Sequence, residues 1–333
     1  MNIGFTYDLK DDYLAAGMAP DLAAEFDARD TIDAIDAAVR AAGHTCDRIG
    51  SARALMARLS RGDRWDLVFN IAESTGGFGR EALVPALLEA FDIPYTMSDP
   101  LVCAVTLHKA SAKRILRDAG IPTPRFAVVE SIADLAHLDA HGDRALRYPL
   151  FAKPIAEGSS KGIEGNAKCA DAAQLDRLCR HLLDRYHQPV LVEEFLPGRE
   201  VTVGVLGTGG HARAVGVEEV TMLEGAEQEV YTFKNKVDWE GRVQCVLATG
   251  GLAEQASRLA VQTWRVLGAR DCGRVDLRAD AAGNLQVLEV NPLPGLRPGY
   301  SDLCLIWEFQ GLGYNDLIRQ ILDSARERTG LRA

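Results

Sequence analysis

Short apolar runs alternate with amphipathic stretches through the first hundred residues, and this alternation constrains the fold more than any other feature. "NIGFTY" opens the chain as a strand-like run. "DTIDAIDAAVRAAG" places Ile32, Ile35, Ala38, Val39 and Ala42 on one helical face, with Asp30 or Thr31 as cap and Gly43 as stop. "DLVFNIA" (66–72) is apolar without alternation, as a strand buried on both faces must be, and "REALVPALLEAF" is a helix leading to "DIPYT". The order βαβα predicts a parallel sheet covered by helices.

From about residue 107 the pattern changes. "LHKASAKRILRDAGIPTP" is a basic amphipathic helix stopped by Gly120 and Pro122, followed by "RFAVVES", a helix near 171–186 and "PVLVEEFLPG". The remainder is richer in strands ("REVTVGVLG", "ARAVGVEEV", "CGRVDLRAD", "LQVLEVNP"), with helices at 252–267 and 314–328. At 333 residues there is room for two or three domains. The expected division is an N-terminal α/β substrate domain over 1–106, a central lobe over 107–192 and a C-terminal lobe over 193–333.

The net charge of −10 argues against a nucleic-acid or anionic-membrane partner, because phosphate backbones reward excess Lys and Arg. No apolar stretch approaches a membrane span, and no basic-then-apolar leader precedes the first strand, so a cytoplasmic location is expected. The seven cysteines are odd in number and never spaced C-x-x-C, which suits a reducing compartment. His137 and His141 lack a third ligand and read as a solvated helix end.

Residues 151–163, "FAKPIAEGSSKGI", combine glycines, hydroxyls, Lys153 and Lys161, the groups with which a loop cradles phosphate. The spacing is not that of a P-loop, and alone such a loop is more often only a turn. Other stretches give it context. Lys109 is a second cation, and "LVEEFLPGRE" sets Glu193, Glu194 and Glu200 around a bend. "GRVDL" and "LEVNP" read as adjacent strands joined through Gly283, bearing Asp276, Glu289 and Asn291. Period two puts Glu289 and Asn291 on one strand face, and the three are hard oxygen ligands suited to Mg²⁺.

In that order, "IPYTMSDPLVCAVTLHKASAKRILRDAGIPTP", "KPIAEGSSKGI", "GRVDL" and "LEVNPLPGL" resemble the ATP-grasp superfamily, and within it the D-alanine:D-alanine ligases, over about residues 66–328. The resemblance implies a parallel α/β N-terminal domain followed by a two-lobed ATP-grasp fold of α+β character. It also implies ATP and two Mg²⁺ ions, for which Mn²⁺ could substitute, and small carboxylate and amine substrates. Relatives commonly pair through the N-terminal domain, so a homodimer is a further expectation.

Carried onto this chain, the resemblance has Lys109 and Lys153 grip the α- and β-phosphates. The loop with Glu157, Gly158, Ser159 and Ser160 would close over them, the serines donating to phosphate or substrate. The backbone at Glu194 and Leu196 would read adenine with Glu193 nearby, and Glu200 would accept the ribose hydroxyls. Lys236, in "YTFKNKVDW", would reach the γ-phosphate. Asp276, Glu289 and Asn291 would hold the metal, while Arg274 and the Gly295 N–H would face a developing oxyanion.

Departures from the family pattern concentrate where substrates would sit. The early glutamate that takes the first amino acid's ammonium has no evident counterpart in "TYDLKDDYLAAGMAPDLAAEFD". Asp8, Asp11 and Asp12 could serve an amine but read better as a solvated acidic loop. "AESTGGFGRE" replaces the family's histidine–glycine segment and brings Glu73 and Arg80. Val237 stands for the usual tyrosine, and "LRPGYSDL" brings Arg297, Tyr300 and Ser301 in place of small hydroxyl residues. The expectation is a carboxylate–amine ligase acting on amino-acid-like substrates other than two D-alanines. An authentic D-alanine:D-alanine ligase, a non-catalytic ATP-binding protein and a kinase-like phosphoryl transferase are the alternatives.

Overall fold

The computed structural model describes residues 1–20, 22–138, 145–163, 165, 167–223 and 243–331. Its strands form three sheets, each backed by helices. β1 (Asn2–Thr6), β2 (Thr45–Gly50) and β3 (Leu67–Asn70) make a parallel sheet in the order β2-β1-β3, with Tyr95 bridging to Val68 at the far edge. The helices of this part are α1 (Lys10–Ala15), α2 (Arg29–Ala41), α3 (Ala52–Ser60) and α4 (Leu83–Ala90). Pleating sends Ile3, Phe5, Leu67 and Phe69 to one face against Ile32, Ile35 and Val39 of α2. Val68 turns to the other face with Ile49, Leu55, Trp65 and Leu88. Gly4 lies under that second layer, where a Cβ would meet Ile49 and Trp65 at 2.8 Å. The expected helical sandwich is therefore present, although β2 and α3 went unread in the sequence. Helix α2 starts after Ala28 rather than on an Asp30 or Thr31 cap, while Gly43 beyond its end has φ +83°.

After α5 (Pro100–Leu107) and α6 (Lys109–Asp118) comes an antiparallel four-stranded sheet, ordered β4-β7-β5-β6. Its strands are β4 (Phe126–Val129), β5 (Leu150–Pro154), β6 (Lys168–Cys169) and β7 (Val190–Glu194). Leu150, Ala152, Val190 and Val192 pack on Leu175, Leu178 and Leu182 of α7 (Ala172–Tyr186). The intervening positions Phe151, Lys153 and Glu193 thereby face the opposite way.

The third sheet, β10-β9-β8-β11-β12, is wholly antiparallel. It comprises β8 (Glu200–Leu206), β9 (Arg213–Met222), β10 (Val243–Leu247), β11 (Cys272–Ala279) and β12 (Leu285–Asn291). Val201, Val203, Val205, Val275 and Leu277 bury against Ala256, Ala260 and Trp264 of α8 (Gly250–Leu267). Each fully buried side chain of this size contributes about 1.5–3 kcal/mol, and the pattern forces Thr202, Arg274 and Asp276 onto the other face. A bulge between Asp276 and Leu277 brings Asp276 opposite Glu289 and leaves Arg274 opposite Asn291. The chain ends in α9 (Asp302–Glu308) and α10 (Tyr314–Thr329). Leu317, Ile318, Ile321 and Leu322 of α10 join the core of the N-terminal sheet, so the last helix closes the first layer. Among the described residues, no helix is long and apolar enough to cross a membrane.

Candidate active site

Two cavities meet between the sheets. The smaller, about 100 Å³, is walled by Phe151, Ile163, Leu196 and Leu288 with Lys153, Glu200, Asp276 and Arg278 at its polar end. The larger, about 250 Å³, reaches from Asp27, Glu73 and Glu81 to Asn291, Gly295 and Tyr300. Ser159, Arg274, Glu289 and Asp302 border both. Anything passed from one cavity to the other passes those four side chains.

At the smaller cavity, Glu193 is 2% exposed and sits between two ammonium groups, Lys153 at 3.0 Å and Lys113 at 2.9 Å. Burial works to raise its carboxyl, but the two lysines outweigh burial and hold it below the usual range. Lys113 also donates to Thr123 Oγ1 at 2.9 Å and the Val287 carbonyl at 3.3 Å, joining the lobes behind the site. The sequence reading missed Lys113, although it lies four residues beyond Lys109 on the same face of α6. Glu194 is occupied by Arg125 at 2.9 Å, and its N–H donates to the Arg125 carbonyl. Glu200 lies 3.0 Å from Arg278 at the cavity wall.

Lys109 donates to the Glu157 carbonyl at 2.5 Å and lies 3.3 Å from Glu289. Burial would raise the Glu289 carboxyl, yet Lys109, Lys153 and Arg274 hold it far below the ordinary carboxylate range. Asp276 accepts from Asn291 Nδ2 and Thr202 Oγ1, both at 3.0 Å. Burial raises its carboxyl despite Arg274 beside it. Among the described residues no cluster of three His, Cys, Asp or Glu side chains could hold a metal. Two carboxylates with one amide oxygen are instead the sparse donor set that suits Mg²⁺ completed by water and phosphate.

Arg274 is clamped between Asp276 at 3.4 Å and Asp302 at 3.1 Å, so its guanidinium is fixed at the junction of the cavities. Asp302 was not singled out in the sequence, where it reads as an ordinary helix-start acid. Gly295 is exposed, and a Cβ there would lie 2.8 Å from Ser301 Oγ, which accepts from the Arg297 N–H at 3.0 Å. Arg297 stacks over the Tyr300 ring at 5.1 Å.

The glycine-rich loop is latched from an unexpected side. Glu25 receives the Gly158 N–H at 2.6 Å, Lys161 at 2.9 Å and Arg80 at 3.2 Å. Arg80 also donates to the Ala156 carbonyl at 2.9 Å. Arg80, expected at the substrate, is thus buried behind the loop and absent from the cavity wall, because Glu25 draws it there. Glu157, expected at the phosphates, has its carboxylate paired with Lys161 and with Gln188, so it shapes the loop. Ser159 and Ser160 follow in left-handed conformations (φ +49° and +56°), with both hydroxyls lacking a protein partner among the described residues. Two such residues in succession are strained, and free donors held that way suit an anion. Gly162 is required beyond them: φ is +74° and a Cβ would meet Pro154 Cγ at 2.6 Å.

Asp8 corrects the reading of an acidic solvated loop. It is 1% exposed, accepting from Tyr13 and from the Ser74 N–H, whereas Asp11 and Asp12 are exposed. Glu73, expected near the substrate, lines the larger cavity. Lys236 and Val237 lie outside the described residues.

The model for "D-ala D-ala ligase C-terminus" matches residues 115–323. A D-alanine–D-alanine ligase of Bordetella avium is 34% identical over 252 residues, 75% of each protein. The chain belongs to the D-alanine–D-alanine ligase family. A ligase of Stutzerimonas stutzeri is 33% identical over 88% of each protein, and an uncharacterized protein of Sinorhizobium fredii is 34% identical over 276 residues. The D-alanine–D-alanine ligase of Bacillus anthracis complexed with ATP has a TM-score of 0.72 at 19% identity, covering 99% of both chains. The fold is thus that of an ATP-grasp enzyme, and the chain is a ligase that forms carbon–nitrogen bonds.

Proposed function

We propose that this family member activates a carboxylate with ATP and passes it to an amine, on amino-acid-like substrates other than two D-alanines. The junction of the two cavities at Ser159, Arg274, Glu289 and Asp302 carries the reading, because it sets a slot walled by Phe151, Ile163, Leu196 and Leu288 against a larger, acidic chamber. The donor set fits the nucleotide. Phe151, Ile163, Leu196 and Leu288 would flank adenine, Glu200 the ribose, and Lys109 and Lys153 the phosphates. Asp276, Glu289 and Asn291 would hold divalent metal, which neutralises charge during phosphoryl transfer.

A carboxylate repels an amine's lone pair and has no good leaving group, so phosphorylation of its oxygen makes it an electrophile. Arg274, held rigid by Asp276 and Asp302, then faces the tetrahedral oxyanion together with the Gly295 N–H. Loss of one such donor typically costs roughly 3–4 kcal/mol. The Ser159 and Ser160 hydroxyls donate to transferred phosphate, and the latched loop excludes water from the acyl phosphate.

An authentic D-alanine–D-alanine ligase is the second reading, favoured by relatives of that name at 32–34% identity. Against it stands the occupation of Glu25, the one glutamate of the early segment near the loop, by Arg80, Lys161 and Gly158. The deciding experiment is ADP release and product mass spectrometry across D- and L-amino acids and amines. An amide from a pair other than D-alanine supports the first reading, and dominant D-alanyl-D-alanine the second. Glu289→Gln is expected to fold normally and lose at least about 100-fold in turnover. Near-normal turnover would remove the metal assignment.

A further inference from the structure

The ion pairs of the larger cavity leave a definite remainder. Its walls carry seven acidic side chains: Glu25, Asp27, Glu73, Glu81, Glu157, Glu289 and Asp302. Four of them are satisfied within the protein: Glu25 and Glu157 by Lys161, Glu289 by Lys109, and Asp302 by Arg274. Asp27, Glu73 and Glu81 have neither a side-chain hydrogen bond nor an ion pair among the described residues. Glu81 is only 9% exposed as a residue and lines this cavity with no protein partner for its carboxyl among the described residues.

The nearby cations do not answer them. Arg80, the charge closest in sequence to Glu73 and Glu81, is turned away to Glu25 and the Ala156 carbonyl. Lys10 and Arg297 line the cavity but make no ion pair within 4 Å among the described residues, and Arg297 lies over Tyr300. Three carboxyls gathered on one wall without a protein partner, Glu81 buried and Asp27 and Glu73 half-buried, are costly, and the cost shows in their protonation. Burial, with Asp8 nearby, pushes Asp27 up to about 7. Burial likewise raises Glu81 to about 7 against Arg80, and raises Glu73 well above the ordinary range with Glu81 and Glu25 adding to it. A ligand that brings positive charge into this wall removes the penalty.

We infer that the Asp27–Glu73–Glu81 wall is a cation subsite, and that the enzyme's substrate carries at least two ammonium or guanidinium groups. A diamino acid and a polyamine share that chemistry; a neutral-side-chain amino acid lacks it. One ammonium can answer two carboxyls, as Lys161 does for Glu25 and Glu157, and leaves the third unanswered. This inference deepens the ligase reading by naming the substrate class of its chamber.

The test uses the full chain with Mg²⁺ and a non-hydrolysable ATP analogue. Binding of lysine, ornithine and 1,4-diaminobutane is compared with norleucine, norvaline and butylamine, and with D-alanine, by calorimetry or thermal shift. At least one of the first three compounds should bind about 10- to 100-fold tighter than its analogue with one ammonium fewer. Glu73→Gln and Asp27→Asn should each erase that preference while isostere binding persists. Equal behaviour within every pair, or tightest binding by D-alanine, overturns the inference. The wild-type pairs decide the matter even if a variant fails to fold. ADP release with ATP separates the two proposals. Turnover only with compounds that carry a single ammonium keeps the ligase reading and removes the cation subsite. Selective binding of a dication without ADP or amide keeps the subsite and removes the reaction.

Discussion

Glu25 shows how much one side chain can do when it sits among buried cations. Its carboxylate, 6% exposed, holds Arg80, Lys161 and the Gly158 N–H, and so fastens the glycine-rich loop to the N-terminal part of the chain. Burial would raise its carboxyl, but Arg80, Lys161 and the backbone donor outweigh that and hold it below its ordinary value of about 4.5. A depressed carboxyl contributes stability above the unfolded value and loses it as pH falls through the folded one. Glu25→Gln is therefore expected to cost roughly 3 kcal/mol at pH 7, with the gap to wild type closing below about pH 4. Chemical denaturation across that range checks it, and a gap that stays constant with pH would mean that charge is not what the latch uses. The loop's glycines, hydroxyls and lysines were legible in the sequence; the partner that anchors it, 133 residues away, was not.

The strand pair β11–β12 is the element on which the metal reading stands. Its spacing was legible because period two alone places Glu289 and Asn291 together, and the pairing brings Asp276 opposite Glu289. The bulge that makes the register work could not be read, since it depends on how the two strands share the α8 core. Gly273 marks the tolerance: a Cβ there would lie 2.4 Å from both the Asn291 carbonyl and the Trp264 ring. Gly273→Ala should push the strands apart next to the Arg274–Asn291 pair. The expected outcome is a loss of about 1–3 kcal/mol in stability and a raised Mg²⁺ requirement for ADP release. A Mg²⁺ titration of turnover checks the second part, and an unchanged requirement would separate the hairpin packing from the metal site.

Across the whole molecule, Asp271 ties together parts that are far apart in the chain. Fully buried with φ +60°, it accepts from the Met97 N–H at 2.9 Å, Ser324 Oγ at 2.9 Å, Arg328 at 2.8 Å and Thr208 Oγ1 at 3.2 Å. It thus joins the exit of the first layer, the large antiparallel sheet and the last helix. Asp271→Ala is expected to lower stability by about 3–5 kcal/mol and to uncouple the unfolding of α10 from the rest. Thermal unfolding followed at two probes checks this; coincident transitions would deny the coupling role. What the sequence determined by itself is whatever depends on neighbours along the chain. The βαβα layering, the apolar strand faces, the glycine-rich loop and the shared face of Glu289 and Asn291 all follow from local periodicity and residue chemistry. Tertiary structure alone decided which charges are spent on one another. Arg80 went to Glu25, Lys113 to Glu193 and Asp302 to Arg274, leaving Asp27, Glu73 and Glu81 facing the chamber. Ion pairing depends on distance and burial in three dimensions, and sequence separation carries neither.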